Sequence, residues 1–406
     1  MTQRRADAAP DRWSGLLCAS VAGVVFGYAA SLTILLLHHE WLFASGGRLV
    51  PADFLTYWSA GKAALAGKAA TAYDPKIFHA LQESIAGRFS SFYFWSYPPA
   101  FFFVAVMLAS LPYATAYISW IATTGVAYAL AANTIARRRS AFLFALASPA
   151  ALLTSYAGQN GFLTAALFGG FLVTLSSRPI VSGILIGLMT YKPQFGLLIP
   201  IALLANGQWR CMFSAALTAV VLLILAVLVF GAGTAGQFMH AMPAMSNLYL
   251  KLGGEGWQKI HSMYGIARFL GAGDRLAWSI QGALIVVSAV SVALLWRSSA
   301  TLALKAAGLI AAAMLSTPYL HGYDFPVLMM ALAFLHRDKP FDAVEWSIAI
   351  GANLIIAGFI LQLAPMGPIA IVMVGAIVVR RLMARSHPAG VPSDNRLGRE
   401  TRLVPG

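Results

Sequence analysis

Long apolar runs recur from Trp13 almost to the C-terminus, separated by short stretches that carry most of the charge. About 20 apolar residues cross a bilayer as a helix, and this many runs exceed what one soluble core can bury. Composition agrees: 59% of residues are hydrophobic and 10% are charged, against roughly 25% charged in soluble domains. The chain is read as an all-α polytopic membrane protein. A transmembrane β-barrel would need alternating segments of about 10 residues, and these runs are continuous. The run 14–37 is too long for a signal-peptide core and lacks a small-residue cleavage site, so it is read as a retained anchor.

The net charge of +14 is distributed against a nucleic-acid partner. Lys and Arg sit in small clusters between the runs, the pattern of cytoplasmic loops facing anionic headgroups. Cys18 and Cys211 both lie in apolar runs and predict no disulfide. Arg4, Arg5 and Arg12 place the N-terminus in the cytoplasm. The chain then emerges outside, and residues 38–112 form a long extracytoplasmic loop.

Two topologies compete after that loop. The stretch Pro99–Leu111 is short for a crossing, being closed by Pro98-Pro99 and Pro112. If it crosses, Arg137-Arg138-Arg139 lies outside. If it is re-entrant or juxtamembrane, those arginines become cytoplasmic, and so do Arg178, Arg210, Arg297, Arg337/Lys339 and Arg380/Arg381/Arg385. The second arrangement satisfies every cluster and is adopted. It predicts about twelve spans, at 14–37, 113–136, 140–157, 161–176, 179–191, 194–206, 211–231, 277–296, 301–316, 325–336, 344–361 and 366–383. The membrane domain then covers 14–383, between a cytoplasmic tail 1–13 and a disordered cytoplasmic tail 384–406. Short, Pro-interrupted helices such as those flanking Tyr191-Lys192-Pro193 suit only cavity walls or protein interiors.

Acid is scarce in this chain, at 14 of 406 residues, so the position of each carboxylate carries weight. Asp53 opens the stretch Asp53-Phe-Leu-Thr-Tyr57-Trp58 within the outer loop. A carboxylate held there can take a proton from a hydroxyl. The adopted topology puts three further polar groups on the same side. They are Gly158-Gln159-Asn160, Lys192 at its Tyr-Lys-Pro break, and Pro318-Tyr-Leu-His321-Gly-Tyr-Asp324. Ionisable groups at the membrane edge are costly and commonly functional.

Each has a plainer alternative. Asp53 could cap the helix that follows. Lys192 could snorkel to headgroups. Gln159 and Asn160 could satisfy broken backbone, and His321 could pair with Asp324. Asp74, before Pro75, reads as a turn residue. The chain has no P-loop, no Gly-x-Ser-x-Gly elbow and no metal-ligand spacing.

Asp53 through Gly61, Tyr73-Asp74-Pro75, Tyr97-Pro98-Pro99, Gly158-Gln159-Asn160, Gly183-x-x-x-Gly187 leading to Lys192-Pro193, and Trp209-Arg210 follow one another as in glycosyltransferase family 87. The chain resembles that family well from Asp53 to Arg210, and more loosely beyond, apart from 318–324. The resemblance implies a GT-C fold in a bacterial plasma membrane, with both termini cytoplasmic and the active site on the outer face. It implies a polyprenyl-monophosphate sugar donor, mannose-like or arabinofuranose-like, and a glycan or glycolipid hydroxyl as acceptor. It makes Asp53 the general base. Lys192 and His321 are expected at the donor phosphate, with Tyr57, Trp58, Tyr97, Gln159, Asn160 and Asp324 binding substrate. No cofactor is expected, and a metal-assisted mechanism has no second acidic residue beside Asp53 to support it. The rival reading is a transporter or flippase of a lipid-linked or small hydrophilic substrate, which would move it unchanged.

Overall fold

The computed structural model describes residues 12–386 except Pro51, Phe92 and Glu255, with the backbone alone at 12–20 and 386. The sequence expectations for 1–11 and 387–406 lie outside the described residues. Nearly every described segment is helical, and the described residues contain no strand beyond one isolated bridge, Phe43 to Leu49.

The helices begin and end where the local chemistry dictates. Helix α1 (Arg12–Leu37) leads to the outer loop, which folds as α2 (Phe54–Leu65), α3 (Pro75–Ala86) and α4 (Phe102–Ala109). Asp74 caps α3, accepting from the backbone N–H groups of Lys76 (2.9 Å) and Ile77 (3.0 Å), as expected of its place before Pro75. Pro112 starts α5 (Tyr113–Ala136), and Arg137 ends it in a left-handed cap with φ 55°. Then come α6 (Ser140–Leu146), α7 (Pro149–Ala157), α8 (Gly161–Thr174), α9 (Pro179–Gly187), α10 (Ile199–Ala205) and α11 (Trp209–Phe230). The chain closes with α12 (Ala232–Ser246), α13 (Met263–Phe269), α14 (Asp274–Arg297), α15 (Leu302–Ser316), α16 (Pro326–Asp338), α17 (Ala343–Ala357) and α18 (Gly367–Ser386).

Each of the twelve expected segments is helical, but helix length does not make them twelve crossings. Among the described residues, four helices are long and apolar enough to cross: α11, α14, the segment 343–361 and α18. Two bent pairs raise the number to six. Apart from α1 and α5, the other segments are shorter because proline and glycine breaks cut the apolar runs. At 1.5 Å per residue, a helix such as α8 falls well short of a hydrocarbon core about 30 Å thick. Residues Pro99–Ala109 turn by 119° into α5, so this short helix doubles back against α5 instead of extending it. Helix α18 runs to Ser386, slightly past the expected boundary at 383.

Side chains on either side of α16 fix its two ends. At its C-terminal end Arg381 is buried, donating to Glu345 through Nε (2.9 Å) and Nη2 (2.6 Å) and to the carbonyl of Lys339 (2.9 Å). This fork ties α18 to the start of α17 and the end of α16. Near its N-terminal end lies an aromatic layer of tilted and stacked ring pairs. Phe54 lies 4.7 Å from Tyr117, Trp95 4.7 Å from Phe102, and Phe101 stacks on Tyr191 at 4.8 Å. Such pairs each add about 0.5–1.5 kcal/mol. In an apolar solvent they hold the bundle together through fit, since burial alone gives little advantage there.

Candidate active site

A cavity of about 180 Å³ opens beside this aromatic layer. The four polar stretches singled out in the sequence meet on its wall, supplying Asp53, Gln159, Lys192, His321 and Asp324. Tyr97 and Tyr323 complete the polar wall, while Phe94, Phe238, Met242 and Met245 line an apolar side.

Asp53 occupies the position of a helix N-cap, but its side chain does not cap α2. Instead Oδ2 accepts from Nε2 of Gln159 at 3.0 Å. The plain capping role is therefore excluded, and the carboxylate faces the cavity. Gln159 reaches it because Gly158 ends α7 with φ 70° while pressed against Phe54 and Tyr117. A Cβ on Gly158 would lie 2.6 Å from Cβ of Phe54 and 2.8 Å from the Tyr117 ring. Only glycine meets both demands.

Both ends of the Gln159 amide are engaged. Its Oε1 accepts from the hydroxyl of Tyr57 and, at 3.2 Å, from that of Tyr97. The two hydroxyls are 3.0 Å apart, and Asn160 Nδ2 donates to Tyr97 at 3.0 Å. The tyrosines thus orient the amide so that its NH2 points at Asp53, which fixes the acceptor atom. Burial raises the pKa of Asp53 above the ordinary carboxylate range, with the Gln159 hydrogen bond and the Lys259 charge opposing it. Burial likewise pushes the hydroxyl of Tyr97 up, so it stays protonated.

Lys192 and Asp324, also on the cavity wall, form a buried ion pair. Oδ2 of Asp324 also accepts the backbone N–H of His321 at 3.0 Å. The side chains of His321 and Asp324 are therefore not a histidine–carboxylate couple; Asp324 braces the turn that carries His321. Two contacts hold the turn in place. Thr154 Oγ1 donates to the carbonyl of Tyr323 at 3.1 Å, and Gly161 lets that carbonyl approach, where a Cβ would meet it at 1.8 Å. His321 stacks on Tyr323 with ring centres 5.2 Å apart. Burial brings its pKa down to about 4, Asp324 opposing and Lys192 and Lys259 adding to the fall, so the imidazole is neutral near pH 7.

Three of the residues expected at the substrate do not line the cavity. Trp58 does not line the cavity: five residues beyond Asp53, it is turned about 140° round the helix and donates to the carbonyl of Leu111 at 3.0 Å. Tyr57 is wholly buried behind the wall and acts through Gln159. Asn160 is also behind the wall, holding Tyr97, with its Oδ1 buried and unpartnered. Sequence reasoning missed Phe238, Met242 and Met245, although their i, i+4, i+7 spacing marks one face of α12. Among the described residues no group of three or more His, Cys, Asp or Glu side chains converges as a metal site.

The model of glycosyltransferase family 87 matches residues 95–318, more than half the chain. The matched segment carries Tyr97, Gln159, Asn160 and Lys192, and stops short of Asp53 on one side and of His321 and Asp324 on the other. No curated protein and no solved structure matches the chain significantly. With a family match of this extent on a helical, membrane-capable scaffold, the chain belongs to glycosyltransferase family 87 and is a membrane glycosyltransferase.

Proposed function

We propose that the enzyme moves a sugar, mannose-like or arabinofuranose-like, from a polyprenyl monophosphate to a hydroxyl of a glycan or glycolipid. One observation carries this reading. An oriented carboxylate with a raised proton affinity shares a small cavity with a buried lysine and a neutral histidine. An acid–base group and groups able to stabilise a leaving anion thus line one cavity of about 180 Å³.

The acceptor hydroxyl attacks the anomeric carbon while its proton passes to Asp53. The bond from that carbon to the donor's phosphate oxygen breaks, and its electron pair leaves with the phosphate. Gln159 keeps Asp53 aimed without competing for the proton, since it only donates to the carboxylate. Lys192 keeps N–H groups free beyond the one directed at Asp324, and His321 offers a neutral N–H. Both are the phosphate-side groups of this mechanism. The apolar side, with Phe238 and Met242, suits the lipid chain of the donor.

A GT-C architecture, an extracytoplasmic site and cytoplasmic termini belong to the same proposal. The 119° turn between Pro99–Ala109 and α5 supports them, since it fits the re-entrant arrangement adopted from the positions of the basic clusters. The test is transfer from a labelled polyprenyl-phosphate sugar by purified Asp53→Asn protein. Loss of the general base should lower the rate by about 10²–10⁴ in a protein that still unfolds cooperatively. Near-wild-type transfer, or movement of the lipid-linked sugar without transfer, would reject the proposal.

A further inference from the structure

The mechanism gives Asp53 to the attacking hydroxyl and Lys192 and His321 to the phosphate, but no residue yet holds the sugar that carries that hydroxyl. One side chain on the cavity wall is placed to do so. Thr56 lines the cavity together with Asp53, three residues further along the start of α2. Residues i and i+3 share one face of a helix, with Cβ atoms about 5–6 Å apart. Helix α2 is not free to turn this face away. It packs so closely on α4 that a Cβ on Gly61 would lie 2.0 Å from the carbonyl of Ala105.

Thr56 is 5% exposed, yet its hydroxyl has no hydrogen-bond partner among the described residues. Other buried threonines on helices donate to the carbonyl four residues back. Thr124 bonds Trp120 (2.6 Å), Thr154 bonds Ala150 (2.8 Å), and Thr164 bonds Asn160 (3.0 Å). Thr56 sits in the first turn, so the carbonyl four residues back belongs to Ala52, ahead of the helix. That carbonyl already accepts the backbone N–H of Leu55 at 2.9 Å. The two buried tyrosine hydroxyls on the wall are also taken. Tyr97 accepts from Asn160 at 3.0 Å, and Tyr191 shares a hydrogen bond with Thr164 at 2.8 Å. Buried polar groups in folded proteins are nearly always paired, so an unpaired hydroxyl on a cavity wall points to a ligand group.

We infer that Thr56 hydrogen-bonds a second hydroxyl of the acceptor sugar, next to the one that loses its proton to Asp53, and so selects acceptors that carry it. This rests on the reading of the site as a glycosyltransferase acting on a glycan hydroxyl. A threonine hydroxyl donates and accepts at once, as a sugar hydroxyl does, and sugars carry hydroxyls on neighbouring carbons. With one hydroxyl of such a pair on Asp53, its neighbour is presented to the same face of α2. An acceptor lacking that neighbour leaves Thr56 unpaired in the complex, which is how a polar site rejects a deoxy analogue.

The experiment follows transfer from a labelled polyprenyl-phosphate sugar to octyl mannopyranoside and octyl arabinofuranoside. Analogues lacking a hydroxyl next to the glycosylated one are run beside them. Thr56→Val keeps the branched shape and removes the hydroxyl. It should lower kcat/KM for the acceptor roughly three- to tenfold, the value of one neutral hydrogen bond, and leave the KM for donor unchanged. The wild type should lose as much with one deoxy acceptor, and Thr56→Val should lose nothing further with it. Thr56→Ser should restore most of the rate. Thr56→Val should also melt at or above the wild-type temperature, because the hydroxyl it removes has no partner in the protein. Wild-type kinetics in Thr56→Val, equal losses on the parent and deoxy acceptors, or a lowered melting temperature overturns the role of Thr56 alone. Failure of the wild type to glycosylate either octyl glycoside overturns the reading of the acceptor as a sugar hydroxyl, and this proposal with it.

Discussion

Removing the side-chain amide of Gln159 should move the pH dependence of transfer in a defined direction. Nε2 of Gln159 is the one group donating to the Asp53 side chain among the described residues, at 3.0 Å. A hydrogen bond to a charged group contributes about 1.5–3 kcal/mol. Gln159→Leu keeps the side-chain bulk and deletes that bond, so the ionised form of Asp53 becomes harder to reach. Asp53 works as a base only when ionised, and transfer therefore rises with pH through its titration. Losing the bond shifts that rise to higher pH. Measured on the acid side, kcat/KM should fall roughly ten- to hundredfold, one decade for each 1.36 kcal/mol, and should approach wild type at alkaline pH. The substitution also removes an acceptor shared by Tyr57 and Tyr97. Those hydroxyls keep each other at 3.0 Å, so one orphaned donor adds about 1–3 kcal/mol of destabilisation, visible in thermal unfolding. The assay is a pH series of initial rates on purified protein with labelled donor. A fall of equal size at every pH, or an unmoved acid limb, would refute the role given to Gln159.

Further expectations follow from the same site. A carboxyl whose proton affinity is raised by burial contributes stability while protonated, and this is lost as pH rises through its folded-state pKa. Asp53→Asn should accordingly melt higher than wild type at neutral pH, with the gap closing under acid conditions, as read by thermal unfolding in detergent across pH. Lys192→Met leaves Asp324 buried and unpaired and should destabilise by about 3–5 kcal/mol. Adding Asp324→Leu should recover the melting temperature while transfer stays lost; failure of the double variant to recover would argue against the ion pair as the cause. Gly161→Ala puts a Cβ 1.8 Å from the carbonyl of Tyr323 and should cost about 1–3 kcal/mol. It should also reduce transfer by shifting the turn that carries His321; unaltered melting and activity would show that the turn adjusts freely.

The positions of the helices were readable because prolines, glycines and charged clusters punctuate continuous apolar runs. Helix α5 begins at Pro112 and ends at Arg137 as expected, since proline lacks the N–H a preceding helix would need. The orientation of residues within helices was not readable in the same way. Tyr57 and Trp58 are neighbours in sequence, yet one supports Gln159 and the other faces Leu111. Adjacent residues point about 100° apart on a helix, and apolar faces all round leave no amphipathic phase to tell them apart. Lys192 illustrates the other gap. Its place at a membrane-edge break was evident, but its partner is 132 residues away, and nothing local selects Asp324 over Asp53.

The sequence by itself determined a helical membrane protein, the sites of its helix breaks, its family resemblance and the scarcity that makes Asp53 informative. These are properties of composition and of neighbours along the chain, where hydrophobicity and backbone chemistry act directly. Only the tertiary structure decided which charges share the cavity, that Asp53 leans on Gln159 instead of its own helix, and that Lys192 is matched by Asp324. Those depend on distances between residues far apart in the chain, and electrostatic function is set by distance and burial, not by order along the sequence.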